Sequence, residues 1–86
     1  MLPQVIKRDK TFEKFSVINI AKVVTASGLT PDQAKTFSEE IKTWAERLGK
    51  NQITSLEIRD KVLSELVKIN TNAAELYRWY EQSKEA

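Results

Sequence analysis

The chain has 86 residues, with 14 basic and 12 acidic side chains and neither cysteine nor histidine. That length supports one small domain with a modest core. The missing residue types exclude thiolate nucleophiles, disulfides, the usual zinc sites and the commonest general base.

Two short alternating segments, 4–7 and 12–15, flank Asp9–Lys10–Thr11 and predict a β-hairpin. A first helix over 17–27 follows from the N-cap residue Ser16 and the apolar stripe Val17, Ile20, Ala21 and Val24, and Gly28 ends it. Thr30–Pro31–Asp32 supplies an N-cap, an N1 proline and an acidic first turn for a second helix over 31–48. Its stripe is Ala34, Phe37, Ile41, Trp44, Ala45 and Leu48, and Gly49 stops it. Ile53 is placed to add a brief third strand beside the hairpin. Thr54–Ser55–Leu56–Glu57 is a capping box opening a third helix over 55–69, with Leu56, Val62, Leu63, Leu66 and Ile69 inward. Asn70–Thr71–Asn72 breaks the pattern and caps a fourth helix over 72–84, where Ala73, Leu76, Tyr77 and Tyr80 share a stripe. The expected core is Val17, Ile20, Val24, Phe37, Ile41, Trp44, Val62, Leu66, Leu76 and Tyr80. With no large sheet to cover, the stripes must bury against one another. The fold class is therefore mainly α (α+β), a four-helix bundle capped by a small N-terminal β-hairpin that a third strand can extend.

Charge is distributed unevenly. Residues 1–27 hold five basic and two acidic side chains, whereas 31–48 hold three and four, and the remainder six of each. The excess positive charge sits in the hairpin and first helix, a focus better suited to a compact anionic ligand than to a nucleic-acid backbone. Cations on a rigid hairpin beside a helix N-terminus suit a polyphosphate. Lys7, Arg8 and Lys10 equally fit solvated edge-strand charges that discourage aggregation. The only two glycines, Gly28 and Gly49, read as helix stops, so no phosphate-binding glycine loop is present. No hydroxyl or lysine is accompanied by a recognisable base or oxyanion element, and the expectation is a non-enzyme. Glu39–Glu40 reads as a solvated helix face and Trp44 as core, while Trp79 falls off the main stripe and is expected to be half exposed. No apolar run approaches the ~20 residues that cross a bilayer. Met1–Leu2–Pro3 lacks the features of a signal peptide. A soluble cytoplasmic protein without membrane contact is expected.

Taken in order, these pieces resemble the ATP-cone domain, a small nucleotide-binding module at the N-terminus of many ribonucleotide reductases and in a related transcriptional repressor. The resemblance is carried by Val5, Ile6, Lys7, Arg8 and Asp9, then Phe15, Ile20 and Val24. It continues through Ile53–Thr54–Ser55–Leu56–Glu57–Ile58 and the closing Ala73–Ala74–Glu75–Leu76–Tyr77–Arg78. It spans nearly the whole chain, so residues 1–86 are expected to form a single such domain.

The resemblance implies that ATP or dATP lies beneath the hairpin, with magnesium held through the phosphates. It implies Lys7 and Arg8 as phosphate contacts, Glu13 as acceptor from a sugar hydroxyl, and Ser16, Asn19 and Ile20 on the base side. Ser55, Ile58 and Arg59 come from the start of the third helix, and Lys84 is the closing cation. Ile20 and Ile58 would sandwich the purine. The implied role is allosteric regulation of an attached or separate protein partner, or self-association. Lys10 stands where the family turn usually has glycine, Ser16 and Asn19 replace a frequent aspartate and lysine, and the closing lysine is displaced to Lys84. The alternative is a degenerate cone without nucleotide, used as a protein-interaction or DNA-associated helical domain. The two readings part on whether Lys7, Arg8 and Glu13 converge with Asn19 and Arg59 on one open cleft.

Overall fold

The structure, a computed structural model, describes residues 2–85 and the side chains of residues 2–82. The chain opens with β1 (Gln4–Ile6) and β2 (Phe12–Lys14), paired antiparallel with Val5 opposite Glu13. Between them Lys7 accepts from the Lys10 amide at 2.9 Å and donates to the Thr11 carbonyl at 2.8 Å. Lys10 takes a left-handed φ of 69°. This is the three-residue hairpin loop in which a turn is followed by one left-handed residue. The Asp9 carboxylate fixes it, accepting from the Thr11 amide at 3.0 Å and the Thr11 hydroxyl at 2.6 Å.

β3 (Gln52–Thr54) joins on the other side of β1, parallel to it, with Val5 opposite Ile53. The sheet order is β2-β1-β3. Val5 and Ile53 are both buried, so the sheet has one face on the bundle and one towards solvent.

Four helices make up the rest: α1 (Val17–Ala26), α2 (Pro31–Arg47), α3 (Ser55–Ile69) and α4 (Thr71–Glu85). Each start has a named partner. The Ser16 hydroxyl accepts from the Asn19 amide for α1, and the Asn70 side chain accepts from the Ala73 amide for α4. Thr30 with Gln33, and Thr54 with Glu57, form complete reciprocal capping boxes for α2 and α3. α1 ends in a Schellman turn: Leu29 donates to Val24 and Gly28 donates to Thr25, both at 3.1 Å, with Gly28 at φ 125°. The turn folds Leu29 back under Val24, and both enter the core.

That core joins Val24, Leu29, Phe37, Ile41, Val62 and Leu66 to Ala73, Ala74 and Tyr77. The expected core positions Val24, Phe37, Ile41, Val62 and Leu66 are buried. Val17, Ile20, Trp44 and Tyr80 are half-buried. Trp44 lies at the bundle edge, where the Lys61 ammonium sits 5.8 Å from its ring centroid. Leu76 is 46% exposed, and α4 instead buries Ala73, Ala74 and Tyr77. Ala73 and Tyr77 belong to the expected stripe, and the buried face swings from Leu76 towards Ala74. Small Ala73 and Ala74 let its backbone approach closely, and the tyrosine ring then fills the space beyond them. Leu48, Leu56 and Ile69, at helix ends where little lies opposite, are also exposed rather than inward. Trp79 is 61% exposed and meets Tyr80 edge-on.

Candidate functional site

Alternation along β1 decides what the sheet presents to the bundle. Val5 points inward, so Ile6 points away and Lys7 points inward again. Glu13 lies opposite Val5 and shares that face. The Lys7 ammonium and Glu13 carboxylate approach to 3.8 Å, each about half exposed. The tight turn brings Arg8 and Asp9 to the rim of the same face, whereas Lys10, at the left-handed position, stays outside.

Beneath this face lies an open cleft of about 770 Å³ between the sheet, α1, α3 and α4. Its apolar wall is Val5, Phe15, Ile20, Val23, Ile58 and Val62. Four cations line it, Lys7, Arg8, Lys22 and Arg59, with the carboxylates of Asp9, Glu13 and Glu81. Ser16 and Ser55 also line it, which places the N-terminal ends of α1 and α3 against the cavity. Both helix dipoles therefore add positive potential at the cavity wall. The arrangement offers charge neutralisation at the hairpin rim and an apolar slot for a flat ring. A second hollow, along α2, alternates Asp32, Glu39 and Glu40 with Lys35, Arg47 and Lys61 and concentrates neither sign.

Lys7, Arg8, Glu13, Ser16, Asn19, Ile20, Ser55, Ile58 and Arg59, dispersed over the first 59 residues, all line this one cleft. The Lys84 side chain lies outside the described residues. Sequence reasoning did not place Lys22, Tyr77 and Glu81 here. Tyr77 and Glu81 stand four apart on α4, a spacing that puts them on one helix face; what the sequence does not reveal is that this face closes the cleft.

The ionisation of the wall follows from its contacts. Tyr77 is only 5% exposed. Burial first, then the charge of Glu81 and the hydrogen bond to its carboxylate, hold the phenol well above its ordinary value of 10.0. The nearby Arg59 charge pulls the other way. Tyr77 is thus a neutral donor at any physiological pH. The hydroxyl and amide of Thr11 hold the Asp9 carboxyl below its ordinary value, so that carboxylate is committed to the turn. Among the described residues no group of three or more carboxylates stands ready to cage a metal ion, and no helix is long and apolar enough to cross a membrane.

Among curated proteins nothing matches. The family model for the ATP cone domain matches residues 3–85. ATP cones are nucleotide-binding regulatory modules and not catalytic domains. The match runs from β1 to the end of α4, over a hairpin-capped bundle of four helices: the chain belongs to the ATP-cone domain family.

Proposed function

We propose that the cleft binds ATP or dATP and that the domain passes its occupancy to an attached or partner protein in the cytoplasm. One observation carries this reading: Lys7 and Arg8 converge with Asn19 and Arg59 on a single cavity whose inner wall is apolar. The residues suit the ligand chemically. Lys7 and Arg8, at the hairpin rim, neutralise phosphate charge, and the N-terminal ends of α1 and α3 reinforce them. Ile20 and Ile58 flank the slot for the purine, and Glu13 accepts from a sugar hydroxyl. Magnesium, with no protein cage, would be held through the phosphates. The cavity falls within the ordinary range of small-molecule sites, roughly 300–1,000 Å³.

Titration with ATP, dATP and GTP, followed by calorimetry and amide chemical shifts, tests the reading. Saturable binding of the adenine nucleotides, with shifts concentrated in residues 5–23, 55–62 and 77–82, supports it. No heat and no shifts at millimolar nucleotide with magnesium favour the degenerate cone, which acts through its helical surface alone. The specific observation on that side is the acidic lining: Glu13 already sits beside Lys7, and Glu81 lies in the same cavity as Arg59.

A further inference from the structure

The α4 wall of the cleft holds a buried tyrosine and a carboxylate whose position the proposed nucleotide site does not explain. Tyr77 is nearly inaccessible, and its hydroxyl donates to the Glu81 carboxylate. The charges of Arg59 and Glu81 both act on that same hydroxyl, with a smaller influence from Asp60. All three of Tyr77, Glu81 and Arg59 line the cavity. The phenol therefore anchors a negative charge from α4 at the place where α3 offers a cation.

Resting on the reading of the cleft as a polyphosphate site, we propose that Glu81, held by Tyr77, is an internal competitor for the phosphates at Arg59. A polyphosphate entering the cleft opposes the Glu81 charge, because two anions facing one guanidinium repel each other. Binding then works against the docking of the last turns of α4, and docking of α4 works against binding. The coupling is reciprocal, as linkage requires. It gives α4 a way to report the state of the cleft without touching the purine. Glu81 is thus a positioning residue for α4 and a brake on affinity.

The test uses the whole chain and two probes, ATP and inorganic tripolyphosphate, with affinities measured by calorimetry. Glu81→Gln keeps the shape of the side chain and removes its charge, so both probes should bind about two- to fivefold more tightly, the scale of one partly exposed charge pair. Glu81→Asp keeps the charge and should stay close to the parent affinity. Glu46→Gln, exposed on α2 and away from the cleft, controls for net charge and should change neither probe. In hydrogen exchange, tripolyphosphate should lower amide protection in residues 78–82 of the parent and leave it unchanged in Glu81→Gln. Unchanged or weaker binding by Glu81→Gln overturns the inference while leaving the nucleotide site intact. Equal tightening by Glu46→Gln overturns it too. If tripolyphosphate responds to Glu81→Gln but adenine adds nothing, the nucleotide reading fails and the inference stands. Binding of neither probe to either protein ends both.

Discussion

Lys7 and Glu13 meet across the underside of the hairpin, ammonium to carboxylate at 3.8 Å, with both side chains about half in solvent. At that exposure the pair is worth no more than about 1 kcal/mol, so an incoming phosphate can take Lys7 at little cost. In the proposed nucleotide site, Glu13 would then be released to accept from a sugar hydroxyl.

Removing Lys7 should therefore weaken ATP binding about 10- to 100-fold, the loss expected for one charge-assisted contact to a triphosphate. Lys35, on α2 and outside the cleft, is the control: Lys35→Ala should leave affinity unchanged. Added salt should weaken binding, because the site is open and cationic. Equal losses from the two variants would identify non-specific charge attraction.

Lys10 carries the one positive φ outside glycine among the described residues. Replacing it with glycine should relieve roughly 1 kcal/mol of backbone strain and raise the melting temperature by several degrees for a domain of this size. The side chain does not line the cleft, so nucleotide affinity should change less than twofold. A melting temperature that falls would show that the lysine contributes a contact that outweighs its strain.

Core truncations should be graded by burial. Phe37 is 1% exposed, and Phe37→Ala should cost about 3–5 kcal/mol, leaving the protein partly unfolded at room temperature. Half-buried Trp44 should cost less, about 1–3 kcal/mol, and Leu76→Ala under about 1 kcal/mol. Urea unfolding midpoints measure the order directly. A larger loss at Leu76 than at Phe37 would mean that α4 presents its other face to the bundle.

Acid should weaken the start of α3 before that of α2. The two helices share a capping box, but the reciprocal acceptor is Glu57 in one and Gln33 in the other. The Thr54 amide, and after it Lys50, hold the Glu57 carboxyl below its ordinary 4.5. A group whose folded value is depressed stabilises fully above its unfolded value and loses that contribution as pH falls through the folded one. The melting temperature should therefore drop as pH falls below about 4.5. Glu65, held down by Lys61 and then Lys68, and Asp9, held by Thr11, add to the loss in the same direction. Glu57→Gln should keep the box and flatten part of that drop; an unaltered pH profile would show that the carboxyl does not titrate with folding.

Legibility followed chemistry that is local. Ser16, Thr30, Thr54 and Asn70 announce helix starts because a cap acts over three residues, and those starts fall at or within one residue of the expected ones. The third strand was legible from Ile53 alone, an isolated β-branched residue in a polar link. The face of α4 was legible in part: Ala73 and Tyr77 of the expected stripe are buried, but Leu76 is exposed and Ala74 is buried in its stead. Leu76 and Tyr77 both belong to the expected stripe, and hydrophobicity alone does not say that only the tyrosine is fully covered. Tyr77 goes inside because its hydroxyl finds Glu81 and its ring fills the space past two alanines. For the cleft, charge focus pointed to the hairpin and the family resemblance to residues on α1 and α3. The α4 contribution depends on how one helix is rotated, and no pattern within that helix sets its rotation.

The parallel pairing of β1 with β3 has a consequence in time. β1 is made first, yet one of its two ladders waits until α1 and α2 have been synthesised and packed, because residues 52–54 lie beyond them. Local helices form in under a microsecond, and contacts between distant segments come later. The roof of the cleft, and with it Lys7 and Arg8, is therefore complete only once a segment about fifty residues further along the chain has joined it.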